Sequence, residues 1–482
     1  MNTSIRRLYW ALAAGFAALA LMLGYWQVVA APALDDRADN PQAIQRERQI
    51  DRGRILSADG KVLAASRAVR ERGQRVFQRV YPQGDLASQA IGYSTSDQGK
   101  SGLEASWNRY LAGSFGTEPL LQRLNLREKR GANVQTNLDT RVQEAAQAGL
   151  VGSRGAAVAL DPATGGVIAM ASSPTYDLNT AVSDFAAVEG QSGGPLVNRS
   201  SDGRYPPGST FKVVTATAAL ESGIYTPGSR FDDNGRFVVD GQAITNFGGR
   251  SFGSHTLTDA LTNSINTTFA RIGESLGPRG LGATMTAYGF GSRPPIDLPE
   301  GEVFPSGRYK GTELQPNDQA GLDTARLAIG QERLLVTPLQ MAMVAAGVAN
   351  DGTVMAPRIG RRAVDRGGSV VRELRPSVVG QSSSPEVANE LTEMMARVVE
   401  EGTGTAAALS GIGVQVAGKT GTAETGDENR NQAWFIGFAP ADDPVVAVAV
   451  VVEDTSGTGG VEAAPIAARI METAIDVGAG GP

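Results

Sequence analysis

Leu8 to Ala30 runs for 23 residues without a charged side chain. As a helix it is roughly 34 Å long, enough to cross the hydrocarbon core of a bilayer. Arg6 and Arg7 precede it, which places residues 1–7 in the cytoplasm. Tyr9 and Trp10 at one end and Tyr25 and Trp26 at the other fit interfacial aromatic belts. A cleaved leader with Ala31-Pro32-Ala33 as its site is the alternative, but the apolar tract is longer than a leader core needs. The expected localisation is a single-pass anchor, residues 8–30, in the plasma membrane. Residues 31–482 then lie outside the cytoplasm.

That placement agrees with the composition. The 482-residue chain has no cysteine, which excludes thiol catalysis, zinc–thiolate sites and disulfides. Its one histidine, His255, rules out a site with two or three histidine ligands. No metal-binding signature occurs, and no cofactor is expected. The net charge of −6 gives no reason to expect nucleic acid as a partner. The chain is too long for one core and calls for two or three domains.

Residues 31–50 read as a polar stalk. "DRGRILSADGKVLAAS" (51–66) reads as a hairpin turning at Asp59-Gly60, and "KSGLEASWNRYLAG" (100–113) as a short helix. Residues 133–150 read as a strand, a turn and an amphipathic helix. Beyond 155 the texture is more apolar. Two strands flank Asp161–Gly165, and 209–223 is a helix apolar almost all round, hence buried on every side. Residues 256–277 are helical with a polar interruption at Asn263–Asn266. Residues 336–352 form a helix with Thr337 as N-cap and Pro338 in its first turn. Three strands (413–424, 433–440, 444–454) and a helix (461–478) close the chain. Strands at both ends of a helical middle point to one sheet assembled from both ends. The tail 478–482 reads as disordered.

Six lysines stand against 38 arginines among the 44 basic residues. A lysine retained in such a chain invites a reason, and "YPPGSTFK" (205–212) supplies one. Ser209 starts a helix, and Lys212 follows nearly one turn later on the same face. A serine hydroxyl needs a base to become a nucleophile. A neutral lysine serves, at a cost of about 4–5 kcal/mol at pH 7 from its ordinary pKa. Burial and a second nearby cation lower that cost, and arginine is excluded because it does not release its proton.

Two further clusters complete the set. Ser264-Ile265-Asn266 sits in the helix interruption, where an irregular backbone is needed to turn hydroxyl and carboxamide to one site. Lys419-Thr420-Gly421-Thr422 ends an apolar strand. Lys419 supplies the second cation, Thr420 a hydroxyl for a substrate carboxylate, and Gly421 room for a substrate backbone along the strand. His255 reads as a polar residue at a helix start rather than a base for Ser209. Asp232-Asp233 and Asp442-Asp443 read as solvated loops.

Ser-x-x-Lys, Ser-x-Asn and Lys-Thr-Gly, in this order, resemble the signature of penicillin-binding proteins and class A β-lactamases. "TPLQMAMVAAGVANDG" and "AWFIGFAP" resemble landmarks of a penicillin-binding transpeptidase domain. "RGRILSADG" and "SGLEASWNRYLAG" resemble the N-terminal module of class B enzymes of the PbpA-like, actinobacterial type. Ile265 in place of aspartate argues against a class A β-lactamase. The resemblance implies an α+β fold: a mostly antiparallel sheet flanked by helices, an all-helical subdomain and a β-rich N-terminal module behind the anchor. It divides the chain into a module at 31–150 and a transpeptidase domain at 151–477. It implies that Ser209 attacks the bond between the last two D-alanines of a peptidoglycan stem peptide. Lys212 takes the proton, Ser264 relays it, Asn266 orients the peptide, and Lys419 and Thr420 hold its carboxylate. Backbone N–H groups of Ser209 and Thr422 form the oxyanion hole. β-Lactams acylate Ser209, and a membrane-embedded glycan polymerase is the implied partner. The rivals are a D,D-carboxypeptidase or β-lactam hydrolase, and a non-catalytic scaffold or sensor.

Overall fold

The first helix, Thr3–Gly24, starts earlier than the uncharged tract and has no buried residue. Tyr9 meets Trp10 edge-on near its start, and Tyr25 meets Trp26 just past its end. By length and composition it is the one helix among the described residues able to cross a membrane. The structure, a computed structural model, describes residues 3–26, 48–71, 73–95, 97–115, 130–402, 409–424 and 430–479. Residues 27–30 of the anchor, the Ala31-Pro32-Ala33 site, the stalk up to residue 47 and the tail from 480 lie outside those residues. Gly478 and Ala479, read as tail, belong to the closing helix Ala464–Ala479.

Past the stalk a six-stranded sheet forms, in the order Val370–Glu373, Gly360–Val364, Asn133–Thr136, Ile55–Leu56, Val62–Glu71, Gln74–Val80. The expected hairpin is present: Leu56 pairs with Val62 across a turn in which Gly60 has φ 83°. A second hairpin, pairing Ala65–Glu71 with Gln74–Val80, had no counterpart in the sequence reading. In its outer strand Val76 and Phe77 are adjacent and Arg79 is buried, so the apolar alternation that betrays a half-buried strand is missing there. Two strands of this sheet come from residues 360–373, more than 200 positions downstream, where Gly360–Val364 pairs antiparallel with Asn133–Thr136. The half-buried Asp297 carboxylate fastens the junction. It accepts from Trp107 Nε1 (2.7 Å), Ile359 N (2.6 Å) and Gly360 N (2.8 Å).

A second, wholly antiparallel sheet runs Ala417–Glu424, Asn431–Ala439, Val446–Thr455, Gly155–Leu160, Val167–Ser173. It joins the two ends of the region, as its strand–helix–strand texture implied. Its central strands run without a polar side chain over Ala433–Ala439, Val446–Val452 and Gly155–Leu160 because both faces are covered there. Ala433, Phe435, Val448 and Val450 pack under helices Thr140–Gly149 and Ala464–Ala479. Trp434, Ile436, Ala449 and Val451 face the helical middle. There helix Pro338–Ala349 is buried from Pro338 through Val348, capped by Thr337, whose hydroxyl accepts from Gln340 N.

The polar interruption separates helix Leu257–Thr262 from helix Asn266–Ala287, with Ser264 at φ 57°. The second helix continues past the expected end at 277, with a kink at Gly277-Pro278. Helix Pro385–Glu401 and the short strands within 230–256 are additions to the sequence reading.

Candidate active site

The serine lies on a turn gripped from behind. Trp434 Nε1 donates to Pro206 O at 3.0 Å, and the Tyr205 hydroxyl donates to Glu453 Oε1 at 2.6 Å. Gly208 follows at φ 53°, and Gly330 packs so close that a Cβ there would lie 2.0 Å from Gly208 O. Gly208–Phe211 is one turn of 3₁₀ helix that passes into α-helix Lys212–Glu221. In 3₁₀ geometry residues i and i+3 eclipse, which puts Lys212 on the same face of the turn as Ser209. The helix from Lys212 through Leu220 is buried throughout.

Lys212 is fully buried. Its Nζ donates to Ser264 O (2.7 Å), Ser264 Oγ (3.1 Å) and Asn266 Oδ1 (2.7 Å). The left-handed backbone at Ser264 turns both its carbonyl and its hydroxyl to one nitrogen. Lys419, also fully buried, donates to the same Ser264 Oγ at 3.1 Å and to Thr420 O at 2.9 Å. One hydroxyl thus bridges two amines. Burial, and then the Lys419 charge, hold the Lys212 pKa well below the ordinary lysine range. Burial brings Lys419 down to about 7. Burial and the neighbouring Lys419 charge both favour a neutral Lys212. Ser264 O–H can then donate to Lys212 while accepting from Lys419.

A cleft of about 650 Å³ opens above this pair. Ser209, Ser264, Asn266, Thr420, Gly421 and Thr422 line it, while Lys212 and Lys419 lie buried beneath. All eight residues singled out in the sequence therefore converge. Gly421 differs in its reason. A Cβ there would lie 3.0 Å from Pro207 O and 3.0 Å from Thr210 Cγ2, so its bareness lets the strand approach the serine turn, not only a substrate. The Thr422 hydroxyl accepts from Gly459 N at 3.4 Å.

His255 is remote from this chemistry. It sits in strand Gly253–Thr256, with Nδ1 2.8 Å from Gly253 O, Nε2 2.8 Å from Thr268 Oγ1, and its ring stacked on Phe231. Asp442 and Asp443 are exposed. Asp233 is not a solvated loop residue. It is buried and accepts from Gly235 N, Thr267 Oγ1, Asn246 Nδ2 and Phe252 N. Burial alone would raise its pKa, and these four donors outweigh it and hold it low. Asp-Asn-Gly at 233–235 was its only sequence signal, an Asx-turn pattern silent about the distant donors. Among the described residues no group of three or more His, Asp or Glu is placed to hold a metal.

The penicillin binding protein transpeptidase domain model matches residues 155–472, and the penicillin binding protein A dimerisation domain model matches residues 52–134. The chain belongs to the penicillin-binding protein transpeptidase family. It is 36% identical over 507 residues to peptidoglycan D,D-transpeptidase PbpA of Mycolicibacterium smegmatis, covering 99% of this chain and 100% of that one. PbpA of Mycobacterium tuberculosis H37Rv is 35% identical over 514 residues, with 98% and 99% covered. The structure of penicillin-binding protein A from M. tuberculosis as a penicillin G acyl-enzyme superimposes with TM-score 0.77 at 32% identity, over 88% of this chain and 99% of that one. Its ceftriaxone acyl-enzyme gives 0.79 at 31%, over 90% and 100%.

Proposed function

We propose that the protein is a peptidoglycan D,D-transpeptidase that works through a serine acyl-enzyme. The observation carrying this reading is the pair of buried amines sharing Ser264 Oγ beneath the cleft that holds Ser209. Ser209 Oγ attacks the carbonyl carbon between the last two D-alanines of a stem peptide while its proton passes to neutral Lys212. The oxyanion is held by the N–H groups of Ser209 and Thr422. Lys212 returns the proton through Ser264 to the departing nitrogen, the C–N bond breaks, and D-alanine leaves. An amine from a neighbouring stem then attacks the ester, its proton follows the same path in reverse, and Ser209 is restored as the new peptide bond forms. Lys419 and Thr420 hold the donor's terminal carboxylate, and Asn266 aligns its backbone. A β-lactam mimics the donor but keeps its leaving nitrogen tethered to the acyl group.

The anchor, residues 8–30, crosses the plasma membrane once and leaves the catalytic region outside the cytoplasm. Residues 31–150 act as its non-catalytic module and 151–477 as the transpeptidase domain. A membrane-embedded glycan polymerase supplies the strands to be joined.

The test uses the full chain in detergent. Benzylpenicillin is expected to add its mass to the peptide containing Ser209, and Ser209→Ala to lose the adduct. Purified stem peptides are expected to yield cross-linked dimers. D-Alanine release without dimers would instead make the protein a carboxypeptidase, and absence of any adduct would remove the acyl-enzyme altogether.

A further inference from the structure

Asn266 carries, among the described residues, the one carboxamide that bonds Lys212, and its orientation is set from both ends. Oδ1 accepts from Lys212 Nζ at 2.7 Å, and Nδ2 donates to Thr245 O at 2.9 Å. Neither end is held by its own segment alone. Thr267, the next residue, donates its hydroxyl to Asp233 Oδ1 at 2.7 Å. Asn246, next to Thr245, donates its amide to Asp233 Oδ2 at 2.8 Å and accepts from Thr267 N at 3.1 Å. Gly235 N (2.9 Å) and Phe252 N (2.9 Å) occupy the remaining positions on the carboxylate. Asp233 does not line the cleft, whereas Thr245, Asn246 and Asn266 do. One buried carboxylate thus ties the helix start that presents Asn266 to the segment that receives its amide.

Resting on the acyl-enzyme reading above, we propose that Asp233 is the positioning residue for Asn266, fixing from outside the cleft the carboxamide that holds Lys212 and the incoming peptide. Only an ionised carboxylate accepts four donors here. The isosteric Asp233→Asn offers one acceptor oxygen and turns an NH₂ toward two of them. Loosening Asn266 also deprives Lys212 of an acceptor that favours its charged form.

The experiment is the second-order rate of benzylpenicillin acylation across pH, with the full chain as wild type, Asp233→Asn, Asn266→Ala and the double variant. Asp233→Asn is expected to slow acylation about tenfold and to move the acid limb of the profile to lower pH. In the Asn266→Ala background the same change is expected to cost less than about twofold, because its route to the reaction is gone. An equal loss in both backgrounds, or no loss, overturns the proposal and makes Asp233 a support for the fold alone. Thr267→Val removes one of the four bonds without changing size. It is expected to repeat the pattern at about threefold if Asp233→Asn fails to fold, and an unchanged rate there is equally fatal. A wild type that benzylpenicillin does not acylate would strike the acyl-enzyme reading itself, a separate result.

Discussion

Two clusters of buried charge sit in this chain and are built on opposite plans. In the N-terminal module, fully buried Glu104 accepts from Arg52 Nη2 at 2.6 Å and Arg79 Nε at 2.5 Å. Arg52 also reaches Asn108 Oδ1, and Arg79 reaches Gly53 O. Burial pushes the Glu104 pKa up, but Arg79 and Arg52 outweigh it and hold the carboxyl below its ordinary range. In the cleft, two amines of the same sign are buried together, and their partners are hydroxyl, amide and carbonyl oxygens. The first cluster keeps its charges, because every ion faces its opposite. The second is arranged so that one charge leaves. Opposite charges meet in the first cluster, whereas in the second burial and the Lys419 charge both disfavour a charged Lys212.

The contrast breaks most sharply at Lys212. Lys212→Arg preserves the charge but fixes it, so acylation by benzylpenicillin is expected to fall about 10²–10⁴-fold in stopped-flow measurements. A variant within a few-fold of wild type would mean that the missing counter-ion has no catalytic meaning. Next in size is Glu104→Ala, which strands two buried guanidinium groups. Denaturant unfolding is expected to show a loss of about 3–5 kcal/mol, with unchanged acylation per folded molecule. The smallest effect has the opposite sign. Unfolded lysine titrates near 10.5 and folded Lys419 near 7, so between these values the unfolded chain binds the extra proton and stability rises with pH. Below about 7 the burial penalty is fully present. Lys419→Met is therefore expected to raise stability by about 2 kcal/mol at pH 7, after the loss of two hydrogen bonds, while impairing acylation. The gain should shrink as the pH climbs toward 10.5. A loss of stability instead would put Lys419 in the same class as Glu104.

The cleft was legible because its chemistry restricts residue type and local spacing at once. Ser209 and Lys212 lie one turn apart, Ser264 and Asn266 flank a helix break, and Lys419 to Thr422 are consecutive within strand Ala417–Glu424. Each pattern is visible within a few residues. Asp233 was opaque because its four partners come from positions 235, 246, 252 and 267, and a carboxylate has no sequence mark for the donors it will meet. The outer hairpin left no mark because adjacent Val76 and Phe77 break the apolar alternation of its edge strand. The contribution of residues 360–373 to the N-terminal sheet was hidden for a different reason. Strand pairing across more than 200 residues leaves no local signal, and each strand is only four or five residues long.

That long-range pairing means the anchor-side module and the catalytic region cannot be parted with scissors at residue 150. A fragment ending there would leave Asn133–Thr136 with a row of bare amides and carbonyls on the side where Gly360–Val364 now zips against it, an invitation to stick to its own copies. Tension applied at Ile55–Leu56 would travel by backbone ladder into the segment after Asp297. The two halves form one mechanical body, and any reagent raised against the module should be made with the whole chain.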